Sequence, residues 1–208
     1  WDSLKFFKIY GDPYSYSLPW DNRSELYRIT WNNLNDIKEK VESYDYDKEM
    51  ENEYISHINN LMVQTRKNRN NTEALQDISN EVRDLTISVN EDIYINITSK
   101  NDERRKEILE KIDDILEERR SEESLALWFE NITWKSLVAL NGNHFVKRNF
   151  KIEPDLSPRF FAPGTGNTPD IEFYNDKFVI ITEVTLTSGV NQWKAEGGAV
   201  VDHINSFI

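Results

Sequence analysis

Apolar residues recur at helical spacing through most of the first 120 positions. Leu26, Ile29, Leu34, Ile37 and Val41 share one face of a helix that Asp21 or Ser24 can cap. Tyr44 to Asp47 interrupts the pattern. Met50, Tyr54, Ile55, Ile58, Leu61 and Met62 then predict a second helix from Lys48 to Lys67, and the polar stretch 66–72 predicts a turn. Asn71 or Thr72 caps a third helix through Leu75, Ile78, Val82 and Leu85. Residues 86–98 are rich in β-branched side chains, which predicts a strand or a loop. Asn101 or Asp102 caps a fourth helix with Ile108, Leu109, Ile112, Ile115 and Leu116 inside. Its other face is almost entirely charged and is expected to be solvated. Glu107 and Lys111 on it are spaced for an i,i+4 ion pair.

The period changes after Ser121. A wide apolar face (Leu125, Leu127, Trp128, Phe129, Ile132, Trp134, Leu137, Val138, Leu140) predicts a heavily buried helix that stops at Asn141-Gly142. Phe145 to Ile152 alternates as a half-buried strand does. Residues 154–167, with three prolines and two glycines, form a loop. Asp170 to Tyr174 and Lys177 to Leu186 read as strands joined by a turn at Asn175-Asp176. The continuous run Phe178–Ile181 is what a buried central strand carries. Ser188-Gly189 turns into a helix from Asn191 with Trp193, Val200, Val201, Ile204 and Phe207. Residues 1–20 lack helical periodicity. The expected fold is α+β: a mainly helical amino-terminal part, then a partial α/β core of helix, three-stranded meander and helix. Three segments are expected: 1–20 as the tail of an upstream domain, 21–120 helical, and 121–208 carrying the chemistry, its sheet stopping short at Ile208.

Composition narrows the class. Cysteine is absent, which excludes a disulfide framework and a thiolate metal site. No apolar run approaches the roughly 18 residues that span a bilayer, and mean hydropathy is -0.69. A membrane partner is therefore not expected, and a cytoplasmic location is. The first residue is Trp1 rather than Met, as expected of a piece of a longer protein. Net charge is -12, the reverse of a DNA binder's usual footprint. The excess is concentrated: residues 36–123 hold 24 acids and 14 bases, whereas residues 124–208 hold 9 and 7. A cation bound at carboxylates would add positive charge that this sum ignores.

The candidate chemistry lies between Thr168 and His203. Asp170 follows Pro169, Glu183 ends the apolar run of the next strand, and Glu196 falls on the helix after it. Two short strands offering carboxylates at adjacent ends suit a hard divalent cation such as Mg²⁺, which takes oxygen ligands and often only one or two carboxylates. The pattern reads as the metal site expected of a nuclease. Lys147, Arg148 and Lys151 hold the densest basic charge of this third. They either lie beside a phosphate backbone or are exposed strand cations. His57 and His144 lack zinc-ligand spacing, and Gly164-Thr165-Gly166 is followed by no Gly-Lys-Ser/Thr.

Pro169-Asp170, Glu183-Val184, Thr187, Gly189, Gln192, Glu196-Gly197, Val200-Val201 and His203, with Phe129-Glu130 upstream, resemble the PD-(D/E)xK nuclease superfamily. More closely they are similar to the AlwI-type family of type IIS restriction endonucleases and their nicking relatives. The resemblance covers roughly residues 122–208. It implies a restriction-endonuclease-like core, with 21–120 as a helical linker-like domain. It also implies Mg²⁺ as cofactor (Mn²⁺ substituting), double-stranded DNA as substrate, and a homodimer or second nuclease subunit where both strands are cut. The metal would be held by Asp170, Glu183 and the Val184 carbonyl. Glu130 and Glu196 would hold its waters or a second ion, and Gln192 would orient water or phosphate. The superfamily's lysine is replaced by Thr185; Glu196, or Lys194 nearby, occupies that region in compensation. Two other readings fit the residues: a helical protein-interaction scaffold with a degenerate nuclease domain, and a repair or junction nuclease of the same fold.

Overall fold

A computed structural model describes residues 19–97, 101–117, 125–140, 145–159 and 168–186, with residues 190, 197–198, 200–202 and 204–205. The chain separates into two compact units, Trp1–Thr86 and Ile87–Ile208. The expected break between 120 and 121 falls on residues outside those described.

The first unit is built from α1 (Pro19–Ser43), α2 (Lys48–Lys67) and the first half of α3 (Thr72–Ile97). Leu34, Ile37, Val41, Ile58, Leu61, Leu75, Ile78, Val82 and Leu85 are buried, as their spacing requires. Thr30 and Thr65 are buried with them. Each turns its hydroxyl onto the carbonyl four residues back, Thr30 to Leu26 and Thr65 to Leu61, both at 2.7 Å. Helix α2 starts where Asp47, in extended conformation, accepts the amides of Glu49 and Met50 at 3.1 and 2.9 Å. Asp47→Ala is expected to lower stability by about 1 kcal/mol, read from a shift in the urea midpoint at unchanged slope. Asn71 caps α3 through the amide of Ala74.

Helix α3 does not end where β-branched residues begin. It runs through Ile97, so of the strand or loop expected over 86–98 the described residues, 86–97, are helix. Extending an existing helix needs no new nucleus. Ile87, Tyr94 and Ile95 also gain a place in the core of the second unit. Packing thereby overrides strand propensity.

That second unit adds α4 (Asp102–Leu116), α5 (Leu125–Leu140), β1 (Phe145–Arg148), β2 (Ile171–Asn175) and β3 (Phe178–Thr182). Asn101 caps α4. Ile108 and Ile115 of α4 pack with Leu125 and Ile132 of α5. On its charged face Glu107 pairs with Arg104 at 2.8 Å, while Lys111 lies over the ring of Trp128, so the i,i+4 partnership gives way to these. The sheet is antiparallel in order β1-β2-β3. Helix α5 lays Trp134 and Val138 on a core with Val146, Phe150, Ile152 and Ile171. Trp134 is fully buried, its ring stacked on Tyr94 at 5.6 Å.

The fold is thus α+β and mostly helical. Strand β3, expected to be central and buried, is the outer strand among the described residues. Phe178, Val179 and Ile180 are 51%, 40% and 45% exposed. An apolar run therefore marked strand character correctly but not position in the sheet. Of the final helix, the described positions 190, 197–198, 200–202 and 204–205 are helical. Among the described residues no helix is long and apolar enough to cross a membrane.

Candidate active site

Antiparallel pairing decides which acids meet. Ile171 is opposite Thr182, so Asp170, one residue before β2, and Glu183, one residue after β3, flank the same end of the sheet. The Asp170 Oδ2 accepts the amide of Val184 at 2.7 Å, which fixes this carboxylate against the backbone that follows Glu183. The Asp170 carbonyl accepts the amide of Asn149 at 2.9 Å, extending the β1–β2 ladder by one rung. Asp170 is therefore held from both neighbouring strands.

Glu130 comes to the same place from α5. With Asp170 it lines a pocket of about 120 Å³, together with Leu127, Asn149, Lys151, Arg159 and Thr168. Burial pushes the Glu130 carboxyl up to about 7, and the charge of Asp170 adds to the effect. A carboxyl poised there changes charge near neutrality. Gln192 and Glu196, the remaining site residues expected from sequence, lie outside the described residues.

Two basic residues of the same lining, Lys151 and Arg159, come from a small loop. Ile152 bridges Pro158, and the Arg159 amide donates to the Lys151 carbonyl at 3.0 Å, so these two cations lie side by side. The turn is closed by Leu156 at φ 63°, a left-handed conformation that a branched side chain adopts only under constraint. The constraint is visible. Asn131, buried beside Glu130 on α5, donates from Nδ2 to the Leu156 carbonyl at 3.0 Å, and the Leu156 side chain is in the core.

Of the basic residues of β1 and its extension, two are already engaged. Lys147 pairs with Glu172 at 2.8 Å, and Arg148 pairs with Glu91 at 2.6 Å. The suggested phosphate role therefore falls away from Lys147 and Arg148 and stays open for Lys151.

Sequence reasoning missed the group behind Asp170. Glu172 is only 2% exposed. Its Oε1 accepts from Lys147 at 2.8 Å and from Asn149 Nδ2 at 2.6 Å, and its Oε2 accepts from the Tyr174 hydroxyl. Burial alone would raise this carboxyl, but the bonds from Lys147, Tyr174 and Asn149 outweigh it and hold it below the usual range. Asn149 Nδ2 also donates to the Pro169 carbonyl at 2.7 Å. One side chain thus ties the buried carboxylate to the peptide that carries Asp170. The spacing Asp170-Ile171-Glu172, two residues apart on a strand, was the available signal.

Among the described residues no group of three acidic or histidine side chains is gathered closely enough to hold a metal. Asp170 and Glu130, which share a pocket, and Glu183, at the same end of the sheet, still offer only hard oxygen donors. That donor set fits Mg²⁺, which keeps several waters and needs few protein ligands.

No curated protein matches the chain. The model of one family, AlwI restriction endonuclease, matches residues 7–208. The match takes in the helical residues as well as the carboxyl-terminal third to which the sequence resemblance is confined. With nearly its whole length matched, the chain belongs to the AlwI restriction endonuclease family, nucleases whose substrate is DNA.

Proposed function

We propose that this chain is a magnesium-dependent endodeoxyribonuclease of the type IIS restriction or nicking kind, acting in the cytoplasm on double-stranded DNA. The observation that supports the reading is that Asp170 and Glu183 flank one end of the sheet, with Glu130 lining the same pocket as Asp170. Asp170, Glu183 and the Val184 carbonyl would hold the metal, with Glu130 and Glu196 supporting it. When bound, the ion supplies polarisation of the scissile phosphate and a lowered pKa for water.

The chain's own residues do the rest. Lys151 and Arg159 line the same pocket as the carboxylates and would receive the phosphate oxygens of the strand to be cut, with Arg159 able to leave its loose 3.7 Å contact with Glu153. The Val184 amide keeps Asp170 oriented. Glu130, near neutrality in its proton affinity, can take a proton from water at its carboxylate oxygen and release it again. Gln192 would orient water or phosphate. Thr185 stands where the superfamily has lysine, so proton transfer falls to Glu130 or Glu196. Cleavage of both strands would require a second nuclease subunit or a second copy.

Calorimetric titration of the protein with Mn²⁺ tests the reading. Binding at roughly millimolar affinity or better is expected, with protons released as the carboxylates ionise. Absence of binding to the wild-type protein, or binding untouched by Glu183→Ala, would remove the metal from the account.

A further inference from the structure

The first unit carries a second basic feature, remote in sequence from the carboxylates. Arg23, Ser24, Tyr27, Arg69 and Asn70 line an open depression of about 340 Å³. Beside it, Tyr27 and Trp31, one turn apart on α1, stack at 6.2 Å with an interplanar angle of 11°. The end of α2 and the turn after it set a guanidinium on each ring: Arg66, in the last turn of the helix, lies 4.6 Å from the centroid of Trp31, and Arg69, in the turn, lies 5.7 Å from that of Tyr27. Arg23 donates to the Asn70 carbonyl at 3.4 Å.

Other arginines among the described residues are neutralised by neighbouring acids, as Arg28 is by Glu25, Arg104 by Glu107 and Arg105 by Asp102. Among the described residues Arg23, Arg66 and Arg69 make no ion pair with an acid. Stacking on an aromatic face holds a guanidinium flat and leaves its N–H edge directed outward. Such edges donate two parallel bonds to a phosphate. A lone cation could be the usual complement of a helix carboxyl end, but that accounts for Arg66 and Lys67 only. It leaves unexplained the Arg23 and Arg69 side chains, which line the depression from α1 and from the turn after α2.

We propose that Arg23, Arg66 and Arg69 form a backbone-binding site for duplex DNA, in which the phosphates of one strand lie along the Tyr27–Trp31 stack. The site positions DNA without reading sequence. It rests on the DNA substrate that family membership implies, and not on the carboxylate site.

The test is fluorescence anisotropy of a labelled duplex of arbitrary sequence, titrated with the protein between about 50 and 200 mM salt. Removing one cation from a phosphate lowers the slope of log K against log salt by about 0.9. The triple variant Arg23→Gln/Arg66→Gln/Arg69→Gln should therefore lose about 2 to 3 units of slope. The triple Arg→Lys variant keeps the charges and should recover most of the slope, which separates a binding role from a folding defect. Lys48→Gln, on the first turn of α2, removes a charge elsewhere and should change nothing. A Gln variant with the wild-type slope, or a wild-type protein with no salt-dependent affinity for the duplex, overturns the proposal; the second result would direct the surface to an acidic protein partner instead. Asp170→Asn should retain the full slope. Cleavage undiminished in that variant would thus count against the carboxylate site alone.

Discussion

Asp170→Asn is expected to reduce DNA cleavage by about 10²–10³-fold, the scale on which removal of one preorganised charge-stabilising group is felt. The expectation rests on how firmly this side chain is placed. Its Oδ2 is committed to the Val184 amide and its carbonyl to the Asn149 amide, so the carboxylate is aimed before any substrate arrives. The asparagine carbonyl oxygen can still accept from Val184. The fold should therefore remain within about 1 kcal/mol of wild type, the net worth of one hydrogen bond. Loss of cleavage with an unshifted urea midpoint assigns the effect to charge. Wild-type cleavage by this variant would end the role given to Asp170. The Asp170→Ala variant should lose as much activity and also leave the Val184 amide without its acceptor, at a further cost of about 1–3 kcal/mol.

The helical unit was largely legible from spacing, because its core is one continuous 3.6-residue pattern. Leu34, Ile37, Val41, Ile58, Leu61 and Leu75 are all buried where that period puts them. Two elements resisted. Residues 86–97 carry strand-like side chains, yet their fate is set by what α3 can pack against, which no local window contains. The run Phe178–Ile181 looks the same in a central strand as in an outer one, since hydrophobicity reports the residue and not its neighbours. At the site, strand parity and a two-residue turn explain why Asp170 and Glu183 fall at the same end of the sheet. Glu130 entered only through resemblance, for nothing local to an apolar helix says which acid it will face. Glu172 and Asn149 stayed hidden for a related reason. A buried carboxylate is recognised by its partners, and Lys147 is brought to it by register, across from it on β1, while Tyr174 stands two residues along the same strand. Arg159 belongs to the same class: a bridge between Ile152 and Pro158 sets it beside Lys151.

Glu130→Gln is expected to stabilise the metal-free protein above neutrality while impairing cleavage. The sign follows from proton binding. In the folded chain the Glu130 carboxyl titrates at about 7, against an ordinary value of 4.5. Between those two pH values the folded state keeps a proton that the unfolded state has released. Stability therefore falls as pH rises through this window. Below it the carboxyl is neutral in both states and costs nothing; above it the penalty is complete. A shift of this size corresponds to about 2–4 kcal/mol, discounted toward the lower figure because the group is only half buried. Glutamine stays neutral throughout, so this part of the pH dependence should vanish. Urea denaturation in the presence of a chelator, across pH 5 to 8, reads the difference directly. The variant should match wild type at the acid end and exceed it at the basic end. At the same time cleavage should fall, since Glu130 is the group that can exchange a proton with water beside Asp170. Parallel stability curves for the two proteins would mean that Glu130 is ionised in the folded state at no cost, and the pocket would then lack the desolvation that sets its chemistry. The opposing signs have one origin: burial beside a second acid makes the residue a liability to the fold and gives it a proton affinity near the working pH.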